Sequence, residues 1–494
     1  MRKPHYPIIY VRGYAMSQNA VEDTVADPYM GFNVGSTKIR QLVTRDVVRH
    51  IFESPLVRLM KDEGYSGIYE DGSEMLTGKR PSEKAVWIYR YYEPVSRSLG
   101  TGERPEIEDY ARGLRDLIDL MEKRYCTRND QLDPALQKKF RVNLVAHSMG
   151  GLVCRCLLQN ISPSDPRVDK VFSYATPHGG IDLRGIGNVP EFLQFNNSEN
   201  FSEKRMRKYL KLPDQSVPVH SLGGKFPPER FFSLIGTNYR DYNLAKWAVG
   251  PMSDGLVQIK NAYAAGSPRA FVHRAHSGHY GIVNSEEGYQ NLRRFFFGNV
   301  RIHAFLDVAA ITLPEKVQRK KDAGKQVRAP YHVETIARVR GKRWDLHRRT
   351  VDEASAVFVD YDQAVKAGRP VHLAGLFLSK GARVTPQRST LGFSLDLRVL
   401  VPEYTVDGGW FNSDHYEGGY LFRDKINLEA GKASNGSWTL KYGFDSVTPN
   451  LTSEVAASTQ GDDDSTTFEI PIKQSSRPGI DAVLRIVSTP WNED

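Results

Sequence analysis

Residues 142–151 read VNLVAHSMGG. Val142, Leu144, Val145 and Ala146 form the short apolar run expected of a strand covered on both faces of a parallel sheet. The run stops on a His–Ser pair and two glycines. Beyond them LVCRCLLQN (152–160) carries apolar residues at roughly helical spacing, with no proline before Pro163. The stretch therefore predicts a strand, a sharp turn and a helix, with Ser148 at the tip of the turn. Ala146 and Gly150, two residues to either side, are small enough for strand and helix to approach without a Cβ collision. Such a turn fits one class of architecture, a parallel sheet covered by helices with functional groups on loops at the strands' carboxyl ends.

The chain up to residue 298 keeps that pattern. PIIYV (7–11), AVWIYRYY (85–92), VNLVAH (142–147), KVFSYAT (170–176), FFSLIG (231–236) and AFVHRAH (270–276) read as strands. Helical segments such as 107–125 and 285–298 lie between or after them. After Gly298 the pattern changes to strand-like runs separated by turn-rich segments, the signature of an antiparallel β-sandwich. Two domains are expected, 1–299 and 300–494, as a length of 494 residues also suggests.

Strand, serine turn and helix are the context of the motif G-x-S-x-G, here with Ala146 in place of the first glycine. The plainer reading of Ser148 is a helix cap. The choice turns on whether partners follow in the order serine, acid, histidine, each on a later loop. After FFSLIG, Asp241 and Asp254 are candidate acids. Asp254 is preferred, because Gly255, Leu256 and Val257 follow it as a tight turn that presents the carboxylate. Three histidines follow the last parallel strand. His273 lies within the strand pattern, and His276 ranks behind His279, which sits in the loop before the final helix.

In this order AHSMGG, SDGLV and GHYGIVNS resemble the nucleophile, acid and histidine segments of bacterial lipases of the α/β-hydrolase superfamily. YATPHGG (174–180) is similar to a segment shared by those lipases and GPI inositol-deacylase-like proteins. The resemblance covers residues 7 to about 298 and does not reach the β-rich region. It implies an α/β-hydrolase sheet and a serine esterase acting on lipid or other apolar acyl esters through Ser148, His279 and Asp254. An oxyanion hole would come from the backbone N–H of Met149 and of Tyr14, in a loop where Arg12 replaces the histidine usual in lipases. The insertion 181–230 reads as a lid or as plain packing. As a lid it would offer Phe192, Leu193 and Phe195 to the acyl chain. The same triad also suits an acyltransferase or amidase, and an inactive hydrolase scaffold used for binding is the third alternative.

Apolar content of 40% and charged content of 25% are those of a globular protein. No apolar run reaches the length of a membrane span. The N-terminal PIIYV is too short for a signal-peptide core, so a cytoplasmic location is expected, with non-classical export as the alternative. Three cysteines, Cys126, Cys154 and Cys156, cannot all pair and fit a reducing compartment. No Cys/His cluster has zinc spacing, and neither a metal nor a cofactor is expected. The net charge of +9 is concentrated in 316–349, which holds twelve Lys/Arg against three Asp/Glu. A solvated basic face is the first reading and peripheral contact with anionic lipid the second. No nucleic-acid-binding motif accompanies the charge.

Overall fold

The computed structural model describes residues 5–13, 22, 36–41, 47–52, 54–68, 80–91, 96–97, 105–181, 198–213, 215–242, 249–278, 280–364, 369–382, 390–407, 413–432, 438–447, 450–451, 453–460 and 465–492. The chain divides into two compact units, 1–269 with 274–296 and 270–273 with 297–494.

Residues 8–272 carry a seven-stranded sheet. Its strands are β1 (Ile8–Val11), β2 (Ser66–Gly67), β3 (Ala85–Ile88), β4 (Val142–His147), β5 (Val168–Tyr174), β6 (Phe231–Gly236) and β7 (Arg269–Val272). They lie in the order β7-β6-β5-β4-β1-β3-β2. The pairings of β2 with β3, β3 with β1, β1 with β4, β4 with β5 and β5 with β6 are all parallel. All four residues of β1 and every residue of β5 and β6 are buried, which explains runs apolar on both faces. The chain goes from β1 to β2 and β3 on one side, then crosses to β4 and continues outward to β7. The direction of winding thus reverses beside β1 and β4, and in open parallel sheets a crevice forms there at the carboxyl ends.

Helix α1 (Pro55–Glu63) starts on Ser54, whose Oγ accepts from the Val57 N–H at 3.1 Å, and ends on Gly64 at φ 71°. Helix α2 (Ile107–Cys126) buries Ile107, Tyr110, Ala111, Leu114, Ile118, Met121 and Tyr125, the stripe its spacing predicts. Helix α3 (Met149–Cys156) follows Ser148 directly and runs into a π turn, Leu157–Ile161. Helices α4 (Glu203–Tyr209) and α5 (Glu286–Phe297) complete the set used below.

Sequence periodicity differs from the structure at one strand end, and the structure bears on one open reading. Strand β7 ends at Val272, so the segment through His276 is loop. The described part of the insertion, from 198 onward, is docked rather than loose: Phe201, Met206, Tyr209, Leu210, Leu222 and Phe226 are buried. Arg205 holds α4 to the start of α2 through Glu108, at 2.6 and 2.7 Å, and Glu106 at 3.0 Å.

Arg155 of α3 is fully buried. Its guanidinium donates to Gln159 Oε1 (3.0 Å) and to the carbonyls of His178 (2.8 Å), Val219 (2.8 Å) and Ser221 (2.6 Å). The acceptors are neutral, so burial pulls its pKa down to about 10. It still carries its charge at neutral pH and pins the 219–221 segment to the serine helix.

The second unit is a β-sandwich. One sheet orders its strands as Val371–Leu378, Val300–Thr312, Gly479–Pro490, Thr466–Gln474 and Thr459–Gln460. The other is built on the long pair Leu391–Asp407 and Ser413–Lys432, antiparallel throughout. Along the first of these Leu391, Phe393, Leu395, Leu397, Val399 and Val401 are buried while Ser394, Asp396 and Arg398 are only partly so. That period of two faces one side inward. Leu484, Ile486, Ile470 and Ile472 of the opposite sheet meet the same core, giving the face-to-face packing of a sandwich.

Six of the basic side chains in 316–349 are paired with acids: Arg319 with Glu315, Lys320 with Asp414, Arg328 with Asp407, Arg338 with Asp345, Arg340 with Glu429 and Arg348 with Glu353. Among the described residues no helix is long and apolar enough to cross a membrane.

Candidate active site

Ser148 joins β4 to α3 with φ 52° and ψ −127°, a conformation that costs a non-glycine residue about 1–3 kcal/mol. Its neighbours enforce it. The Ser148 N–H donates to the Tyr174 carbonyl at 2.9 Å, and Thr176 Oγ1 donates to the Ser148 carbonyl at 2.9 Å. A Cβ on Gly150 would strike the carbonyl oxygens of Val11 and Arg12, and one on Gly151 would strike the Thr176 side chain. The glycines therefore let α3 press onto the ends of β1 and β5. Gly13 plays the same part from the other side, since its Cβ would lie 2.6 Å from Ser148 Cβ. Tyr91 Oη holds that loop by donating to the Arg12 carbonyl at 2.5 Å.

Asp254 sits in a loop after β6 and is 1% exposed. Its Oδ1 accepts from the N–H groups of Leu256 (3.0 Å) and Val257 (2.7 Å), a turn that Gly255 closes at φ 99°. Oδ2 is left to face the sheet's crevice. Gly236, at the end of β6, gives Asp254 room, because a Cβ there would lie 2.8 Å from Asp254 Cβ.

The histidine that meets both is His276. Its Nδ1 lies 2.9 Å from Asp254 Oδ2 and its Nε2 lies 2.9 Å from Ser148 Oγ. With a carboxylate as acceptor, Nδ1 carries the proton and Nε2 is the base facing the serine. This corrects the expectation of His279, which lies outside the described residues. The reason is the early end of β7. The loop after it folds back at Gly278 (φ 83°) and Gly281, where the Gly281 N–H donates to the Gly278 carbonyl at 2.9 Å. A Cβ on Gly281 would strike the backbone of Ser277 and Gly278. His276 thereby stands at the base of the turn, against the serine. Of the other candidates, Asp241 accepts from Asn238 Nδ2 at 2.9 Å.

The Met149 amide opens the first turn of α3, where helices leave N–H groups without intrahelical partners. Tyr14, Phe192, Leu193 and Phe195 lie outside the described residues.

Two side chains around the histidine were not singled out by sequence reasoning. Tyr242 sets its ring edge-on to His276, with centroids 5.8 Å apart. Burial and the nearby Asp254 carboxylate raise its phenol, which stays neutral. His147, beside the serine, has its ring 5.1 Å from that of His276. Burial first, then the His276 imidazole, lowers its pKa to about 3. Its position next to Ser148 was the only available signal. Among the described residues no three metal-binding side chains converge, and the three cysteines are buried and unpaired.

No family model matches the chain. Triacylglycerol lipase 2 of Saccharomyces cerevisiae is 29% identical over 140 residues, which cover 25% of this chain and 41% of the yeast protein. The match thus spans less than half of that relative. Among solved structures the chain is similar to phospholipase PlaB from Legionella pneumophila, at 10% identity and a TM-score of 0.29 over 84% of this chain and 90% of that one. It is also similar to a metagenomic carboxyl esterase, at 14% identity and a TM-score of 0.26 over 55% and 64% of the two chains. By its strand order, the serine turn after β4 and the place of that turn at the switch of the winding, the first unit has an α/β-hydrolase fold.

Proposed function

We propose that the protein is a serine hydrolase that cleaves carboxylic esters of lipids or other apolar acyl compounds. The observation that carries this reading is the unbroken line of hydrogen bonds from Asp254 through His276 to Ser148, 2.9 Å at each link. A neutral serine is a weak nucleophile, and a base within hydrogen-bond reach is what activates it. Ser148 Oγ attacks the acyl carbon while His276 Nε2 takes its proton. Asp254 steadies the imidazolium that forms. The Met149 N–H, with a second donor from the loop after β1, holds the oxyanion, each donor contributing about 3–4 kcal/mol. His276 then gives its proton to the leaving alcohol, and Ser148 keeps the acyl group. Water attacks that ester, passes its proton to His276 and releases the acid, and the proton returns to Ser148. The lipase relative supports an apolar acyl substrate. Contact with anionic lipid rests on exposed basic residues of 316–349 such as Lys316 and Lys325.

The test is labelling of the full chain with a fluorophosphonate, alongside hydrolysis of p-nitrophenyl esters of short and long acyl chains. Covalent labelling that Ser148→Ala removes, with loss of turnover, is the expected result. A folded protein that neither labels nor hydrolyses any ester of the series overturns the reading.

A further inference from the structure

His276 is held by more than its side chain. Its backbone N–H donates to the Asp254 carbonyl at 2.9 Å. Its backbone carbonyl lies 2.9 Å from Nε2 of His147. A carbonyl only accepts, so Nε2 of His147 carries the proton, and a neutral ring leaves Nδ1 bare. The residue is half-buried at the end of its strand, and its depressed pKa, about 3, keeps the ring neutral at any ordinary working pH.

We infer that His147 is a positioning residue for the proposed reaction: its Nε2–H fixes the His276 peptide and so aims the His276 ring at Ser148. This rests on the reading of Ser148, His276 and Asp254 given above. The argument is one of geometry. His147 and Ser148 are adjacent in the chain, so the nucleophile turn and the histidine loop are joined at two points, one through Ser148 Oγ and one through His147. The first bond must break and re-form in every turnover, because the serine proton leaves. The second persists while the first is broken, and it keeps the imidazolium from swinging away before it has protonated the alcohol. A charged ring at this place would oppose the charge that His276 acquires. The neutral, Nε2-protonated ring anchors without opposing it. Among the described residues no charged side chain is bonded to the His276 carbonyl. Arg12 and the His276 imidazole both disfavour a cationic His147, and Tyr242 packs on His276 by its ring.

Full-length wild type, His147→Gln and His147→Phe are compared. A glutamine places an N–H near the position of Nε2; phenylalanine keeps the ring and loses the donor. On p-nitrophenyl butyrate the Phe variant should lose about 30-fold in kcat with KM within about two-fold, and its fluorophosphonate labelling should slow by a similar factor. The Gln variant should stay within about three-fold of wild type. Circular dichroism and thermal midpoints establish that the variants are folded. A folded Phe variant with wild-type kcat overturns the inference, as does a folded Gln variant as impaired as Phe. Nitrogen-15 NMR of the wild-type imidazoles gives a readout free of catalysis and of any variant's folding. His147 should be the Nε2–H tautomer with a slowly exchanging ring proton, and an Nδ1–H tautomer overturns the inference. Failure of the hydrolase reading itself looks different: wild type then neither labels nor turns over, whatever the tautomer.

Discussion

Asp254 and His276 are joined twice, once from Oδ2 to the ring Nδ1 and once from the His276 N–H to the Asp254 carbonyl, each at 2.9 Å. The second bond sets the distance between the two backbones, so the first forms without a search by the side chains. An aspartate loop and a histidine loop from different parts of the chain thus behave as one rigid piece.

Asp254→Asn tests what the carboxylate does beyond holding shape. The amide oxygen can keep the bonds from Leu256 and Val257, which leaves the amide NH2 facing Nδ1. The histidine is then forced to carry its proton on Nε2, where it can no longer accept one from Ser148. Turnover of a p-nitrophenyl ester should fall by about 10³–10⁴-fold with the thermal midpoint nearly unchanged. A loss below ten-fold would remove the carboxylate from the mechanism.

Gly150→Ala should damage stability and activity together. The new methyl meets the backbone carbonyls of Val11 and Arg12, which have no freedom to rotate away. Urea unfolding should register about 1–3 kcal/mol of overpacking. Fluorophosphonate labelling should slow as well, because α3 and the Met149 amide must shift. An alanine variant as stable and as reactive as wild type would show that the helix has slack here.

Arg155→Met leaves Gln159 Oε1 and the carbonyls of His178 and Val219 without their donor, while the Ser221 carbonyl keeps the Gln159 Nε2–H at 3.3 Å. The loss should be at least about 3 kcal/mol, on the scale of 1–3 kcal/mol for each buried group left unsatisfied. Limited proteolysis should then cut near 219–221 first. An unaltered digestion pattern would mean that the segment is held by its apolar contacts, Val219 and Leu222 among them.

Acid should weaken the fold before it reaches the carboxylates. His147, at about 3, and His178, also driven down chiefly by burial, are neutral in the folded protein. In the unfolded chain a histidine takes up a proton near pH 6.5. Their contribution is therefore complete above that pH and is lost as pH falls below 6.5, for His147 down to about 3. Each contributes a slope of up to about 1.4 kcal/mol per pH unit in that window. Urea midpoints measured at pH 7, 6, 5 and 4 should drop progressively, and less steeply in His147→Gln. A flat profile between 7 and 5 would contradict the neutral state of both rings in the folded protein.

The serine turn could be read from the sequence because everything that makes it is contiguous: strand, small residues and helix lie within 142–156. Asp254 was legible for a similar reason, since its turn is written in the next three residues. The choice between His276 and His279 was not. It depends on where β7 stops and on how Gly278 and Gly281 fold the loop, and both outcomes keep the same residues. The partner of His147 left no mark at all, because it is a backbone carbonyl 129 residues away. Any residue type could have supplied it. In the second unit the period of two announced the strands, whereas their great length, as in 391–407, is set by antiparallel pairing with 413–432.

Strand β1 lies between β3 and β4 in the sheet, yet β4 follows it more than a hundred residues later in the chain. His276 comes later still. A ribosome-bound chain arrested before that point has a serine with no base beside it and a first strand waiting for its neighbour. Pairings over such separations are slow to form. On the proposed function the growing polypeptide is for that reason chemically silent until His276 has been released, and its reactivity switches on only after that stretch of synthesis.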